Sequence, residues 1–63
     1  MVVRVLKMLL SNRKITSQQF RTYRGQVLHG DEIGCITGLK RKHLISDAEA
    51  DALILSVELA YTE

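Results

Sequence analysis

The 63-residue sequence has no proline, no tryptophan, one cysteine, four glycines and only three aromatic residues. Each scarcity removes a class of molecule. A lone Cys35 can neither close an internal disulfide nor supply a cysteine-rich metal site, and a reducing cytoplasm is the expected compartment. The lack of proline, with Leu, Met, Ala, Gln and Arg spread among β-branched residues, biases the chain toward helix. Long apolar runs are also missing. Arg4 and Lys7 interrupt the N-terminal segment, no small-residue cleavage site follows it, and the run from Ala52 to Tyr61 contains Glu58. That run is half the length of the ~20 residues a membrane span needs. Neither a targeting segment nor a span is predicted, and a soluble protein is expected. A chain of this size buries only about 60% of its unfolded surface, so one marginal domain over residues 1–63 is expected, steadied by a second copy, with scant room for an enzyme cleft.

Helix punctuation is the clearest positive signal. Thr16 followed by Gln19 forms a capping box, and Ile15 with Phe20 forms a hydrophobic staple around it. The helix that starts there carries Phe20, Tyr23, Val27 and Leu28 inward and ends near His29 and Gly30, with Gly30 suited to a left-handed cap. Asp31 caps a third helix. Thirty residues after the first box, Ser46 and Glu49 form another, with Ile45 ahead of it; at that offset Leu9 aligns with Leu39 and Ile15 with Ile45. The pattern is that of two tandem helical hairpins, either a duplicated unit or the same capping chemistry used twice. Helices are predicted at about 2–12, 17–28, 32–42 and 47–61, an all-α bundle of three to four short helices.

Charge divides along the same line. Residues 1–29 hold Arg4, Lys7, Arg13, Lys14, Arg21 and Arg24 without one acid, whereas residues 30–63 hold three bases and seven acids. The net charge of +2 therefore conceals a dipolar molecule. Helix-dipole preferences account for Lys40, Arg41 and Lys42 at a helix end and for Asp47, Glu49 and Asp51 at a helix start. They do not account for six bases without an acid.

No catalytic residue, metal ligand set or cofactor site is nominated. His29 and His43 stand fourteen residues apart without the converging ligands a metal requires. Cys35, between Ile33 and Ile36, reads as a small buried hydrophobe. The acids Asp31, Glu32, Asp47, Glu49 and Asp51 read as caps and solvated faces, and no small-molecule substrate is expected. Gly30, Gly34 and Gly38 lay a flat strip along one side of a helix, a packing device first and a docking surface for a partner helix second.

The second helix is the candidate binding element. With Phe20, Tyr23 and Val27 inward, Gln18, Arg21 and Thr22 face outward, residue types that read base edges and phosphates. As a helix-turn-helix it would present Ser17, Gln18 and Arg21 to the major groove, with Arg13, Lys14 and Arg24 on phosphates; the plainer reading is a polar solvent face. The first and last helices are apolar nearly all round. A homodimer is expected to bury them, through Val2, Val5, Leu6, Leu9, Leu53, Val57 and Tyr61.

The stretch from Leu9 to Leu28, read as Leu9-Leu10-Ser11-Asn12-Arg13-Lys14-Ile15-Thr16-Ser17-Gln18-Gln19-Phe20 and a basic helix, resembles the bihelical SHOCT module. It departs from that pattern in having Gln18-Gln19 where acids are usual and no glycine before Ile15. The longer series Ile15-Thr16, Gln19-Phe20, Thr22, Gly25-Gln26, Gly30-Asp31, Gly34 and Gly38-Leu39 is similar to small uncharacterised proteins of phages and mobile elements of Gram-positive bacteria. This resemblance implies a non-enzymatic regulator that grips a host transcription regulator, such as an SOS-type repressor. The alternative is a helix-turn-helix protein acting directly on an operator.

Overall fold

The computed structural model describes residues 2–61 and consists of four α-helices: α1 (Val2–Ser11), α2 (Ser17–Leu28), α3 (Glu32–Arg41) and α4 (Asp47–Tyr61), with no strand among the described residues. The helix starts follow from side-chain capping. Thr16 Oγ1 accepts from the Gln19 amide at 3.1 Å while Gln19 Oε1 accepts from the Thr16 amide at 2.8 Å. Ser46 and Glu49 repeat the exchange at 3.0 and 3.1 Å. The residue ahead of each cap, Ile15 or Ile45, is buried, which fixes the angle at which the chain enters the helix.

The helix ends repeat as well. Arg13 N donates to Leu10 O and Lys14 N to Leu9 O; thirty residues on, His43 N donates to Lys40 O and Leu44 N to Leu39 O. These paired bonds are the Schellman arrangement, which turns the residue after the cap into the left-handed region. Arg13 (φ 57°) and His43 (φ 58°) occupy that position, while α2 ends the same way at Gly30 (φ 90°). The repeat seen in the capping residues is thus also a repeat of backbone conformation. Because a side chain at a left-handed position is strained, Arg13→Gly and His43→Gly are each expected to stabilise the fold by about 0.5–1 kcal/mol. Thermal unfolding followed by circular dichroism checks this as a midpoint raised by several degrees.

Short turns send each helix back along its predecessor, and the main packing joins α1 to α2, α2 to α3 and α3 to α4. The core gathers Leu6, Ile36, Leu39, Val2 and Cys35, all fully buried, with Leu9, Ile15, Tyr23, Ile45, Ala50 and Val57 around them. Equivalent positions are filled in both hairpins: Leu6 and Ile36, Leu9 and Leu39, Ile15 and Ile45. No buried polar side chain appears among the described residues, so apolar burial carries the interior. Among those residues no helix is long and apolar enough to cross a membrane.

One inward assignment is corrected. Leu28 is 70% exposed, because it lies about 100° around the helix from Val27, past the edge of the stripe that Tyr23 and Val27 bury. Tyr61, expected in a dimer interface, is exposed to the same extent in the single copy, and its hydroxyl donates to Glu32 Oε1 at 3.0 Å.

Candidate interaction surface

Every residue of the proposed binding face, Arg13, Lys14, Ser17, Gln18, Arg21, Thr22 and Arg24, is exposed, as are Arg4 and Lys7 on α1. On α2 the cause is the inward stripe: with Tyr23 buried and Phe20 and Val27 packed on the core, Gln18, Arg21, Gly25 and Leu28 fall on the opposite side at helical spacing. The two remaining glutamines of α2 have structural duties. Gln19 closes the capping box, and Gln26 Nε2 donates to Asp31 Oδ2 at 2.8 Å, tying the end of α2 to the start of α3. Thr22 Oγ1 donates back to Gln18 O at 3.0 Å.

One cation of this region was not legible as such. Lys42 stands with its ammonium 5.7 Å from the centroid of the Tyr23 ring, and it lines with Gln18, Gln19, Thr22 and Tyr23 a groove of about 240 Å³. In sequence Lys42 reads as a helix-end base. Only the return of α3 alongside α2 brings it to the edge of the α2 face, where it adds a positive charge next to Gln18 and Thr22.

The glycine strip of α3 is used within the chain. Gly30 takes the left-handed turn. At Gly34 a Cβ would collide with the Asp31 carboxylate, which caps the helix by accepting from the Gly34 amide at 3.1 Å. At Gly38 a Cβ would lie 3.7 Å from the Tyr23 ring. The series Gly25-Gln26, Gly30-Asp31, Gly34 and Gly38 therefore mostly builds the joint between α2 and α3. Gly25 is the exception, since nothing lies within 4 Å of where its Cβ would be. Glycine inside a helix costs roughly 0.5–1 kcal/mol against alanine. Gly25→Ala is expected to return that amount, read as a raised midpoint in a dilute thermal melt.

The residues proposed for a dimer interface are not brought together on the surface. Val2, Leu6, Leu9 and Val57 are buried in the chain's own core, Val5 and Leu53 are half-buried against it, and Tyr61 alone is exposed. The α1 and α4 stripes thus cover the interior of a single copy. The large apolar residues left in solvent are Met8, Leu28, Ile33, Leu55, Leu59 and Tyr61.

Cys35 is fully buried, and burial first, then the negative charges of Asp31 and Glu32, push its thiol up from 9.0 to about 11. Its thiol stays protonated at neutral pH, which deprives it of nucleophilic character. The unfolded chain loses this proton near pH 9 and the folded chain only near pH 11, so folding stability falls across that window, by roughly 2–3 kcal/mol. Below pH 9 both states hold the proton and the term vanishes. Urea titrations at successive alkaline pH values measure the loss, and Cys35→Ala should remove this component of the slope. The carboxylates serve the fold: Asp31 and Glu49 cap helices, and Glu32 accepts from Tyr61, which holds the Tyr61 hydroxyl above its ordinary pKa. Among the described residues no group of three or more His, Cys, Asp or Glu side chains is placed to hold a metal ion.

The outer side of the first hairpin is rich in cations and polar hydrogen-bonding groups. Compared with family models, curated proteins and solved structures, the chain matches none.

Proposed function

We propose that the chain is a non-enzymatic regulatory protein of the phage or mobile-element kind, acting in the host cytoplasm by binding a host transcription regulator, of which an SOS-type repressor is an example. The observation that supports this reading is the composition of the outer side of α2. Arg21 shares that side with Leu28, which is 70% exposed, and Met8 on α1 is 59% exposed in a hairpin carrying six solvent-facing cations. Cations interspersed with exposed apolar side chains suit an acidic protein surface with apolar anchors, for which charge sets encounter and register and the apolar contacts set lifetime.

Direct operator binding is the second reading. It is favoured by the exposure of Ser17, Gln18 and Arg21 over the first turns of α2, with Lys42 beside them. Sedimentation of the purified protein with duplex DNA, and separately with a purified SOS-type repressor of a Gram-positive host, at low and moderate salt, tests both. A repressor complex that survives moderate salt supports the first reading. A DNA complex whose log affinity falls with log salt by about 0.9 per phosphate neutralised supports the second. Binding to neither, at either salt, defeats both.

A further inference from the structure

Laid over one another at the thirty-residue offset, α2 and α4 are the same element of two hairpins, and at two matching positions their outer sides differ in a complementary way. Arg21 of α2 corresponds to Asp51 of α4, one cation to one anion, both exposed. Gly25 corresponds to Leu55. The first has open space where a side chain would be, and the second is a leucine left 57% exposed. Leu59, 63% exposed, continues the apolar line on α4 one turn past Leu55, where α2 has His29 at the matching position, and the exposed Leu28 of α2 corresponds to Glu58. Ala48 and Ala52 keep the rest of the α4 line low enough for close approach by another backbone. One helix thus offers a basic face with a hollow, the other an acidic face with a knob of matching spacing.

Within one chain no main packing joins α2 to α4, and both outer sides face solvent. A glycine that weakens its own helix, with no neighbour inside the chain to account for it, and an exposed leucine at the equivalent position of the acidic helix have one economical explanation. We infer that the outer side of α4 docks on the outer side of α2 of a second copy of this chain, Leu55 seated over Gly25 and Asp51 paired with Arg21. The contact joins unlike faces, so each copy can enter two of them, one through α2 and one through α4. Interdigitation over a glycine permits the short helix separation that dispersion contacts require, and opposite charges beside it fix the register. The inference does not depend on the proposed regulator, since it concerns the protein alone. Self-association would compete with that partner for the α2 face.

The test is sedimentation velocity of the purified full chain over a range of concentrations, with far-UV circular dichroism to verify that each variant keeps its helix content. The wild type is expected to self-associate, less so at higher salt. Arg21→Asp sets two carboxylates against each other across the contact, and Asp51→Arg sets two guanidinium groups against each other, so each variant alone should raise the dissociation constant at least about tenfold. In a one-to-one mixture of the two variants, every carboxylate of the first meets a guanidinium of the second at both contacts, and the mixture should associate again. Gly25→Leu, which fills the hollow, should leave a monomer that the charge-swapped partners do not rescue. A wild type that stays monomeric at every concentration overturns the inference. So does a mixture no more associated than its components, or a Gly25→Leu protein that associates like wild type.

Discussion

Leu39→Ala is expected to strip the fold of half of its stability or more. Leu39 is completely buried in the last turn of α3, in a core whose other fully buried members include Leu6, Ile36 and Cys35. Truncating such a leucine costs about 3–5 kcal/mol, part lost transfer energy and part the cavity left behind. A 63-residue domain holds roughly 3–9 kcal/mol in total. Against the middle of that range the substitution removes half of the stability or more. Met8→Ala, at a position 59% exposed, should change it by no more than about 0.5 kcal/mol. Urea unfolding followed by circular dichroism at low protein concentration compares them. A Leu39→Ala protein that keeps a sharp transition, shifted by less than Met8→Ala shifts it, would mean that the core is not assembled around α3.

Arg21→Glu is expected to abolish partner binding while leaving the fold intact. Arg21 is exposed, so the fold does not depend on its charge, yet it sits between the polar start of α2 and the apolar Leu28 on the side proposed for contact. Reversal replaces an attraction with a repulsion, a change of about 2 kcal/mol or more against an acidic surface, some thirtyfold in affinity. If the partner is DNA, the remaining binding should also show a salt slope shallower by about 0.9 for each phosphate that the variant no longer neutralises. Equal affinity of wild type and Arg21→Glu for the repressor would exclude the α2 face from that complex.

The helices were readable from sequence because their boundaries are set by local chemistry. Thr16 with Gln19, Ser46 with Glu49, Asp31 and Gly30 each act within about one helical turn of themselves, and the predicted spans 17–28 and 47–61 coincide with α2 and α4. What periodicity does not supply is the identity of the neighbour. It showed that Val2, Leu6, Leu9 and Val57 share apolar stripes, and the structure adds that the cover comes from the chain's own helices. It left Leu28 inside although the stripe ends at Val27. The approach of Lys42 to Tyr23 and the empty space over Gly25 depend on how distant segments are arranged, and no spacing along the chain encodes either. The charge division between the hairpins, by contrast, was visible in full, since exposed cations carry no packing information that a structure could revise.

The order of packing along the chain has a kinetic consequence. Each helix rests mainly on those before and after it, so the contacts that define the native state close small loops. Chains of that kind assemble quickly, on the scale of microseconds to milliseconds, because little loop entropy is lost before each contact forms. The terminal helices α1 and α4 have one principal neighbour each, yet both set fully buried residues into the shared core, Val2 and Leu6 from the first and Ala50 from the last, so the two ends should unfold with the rest of the domain and not ahead of it.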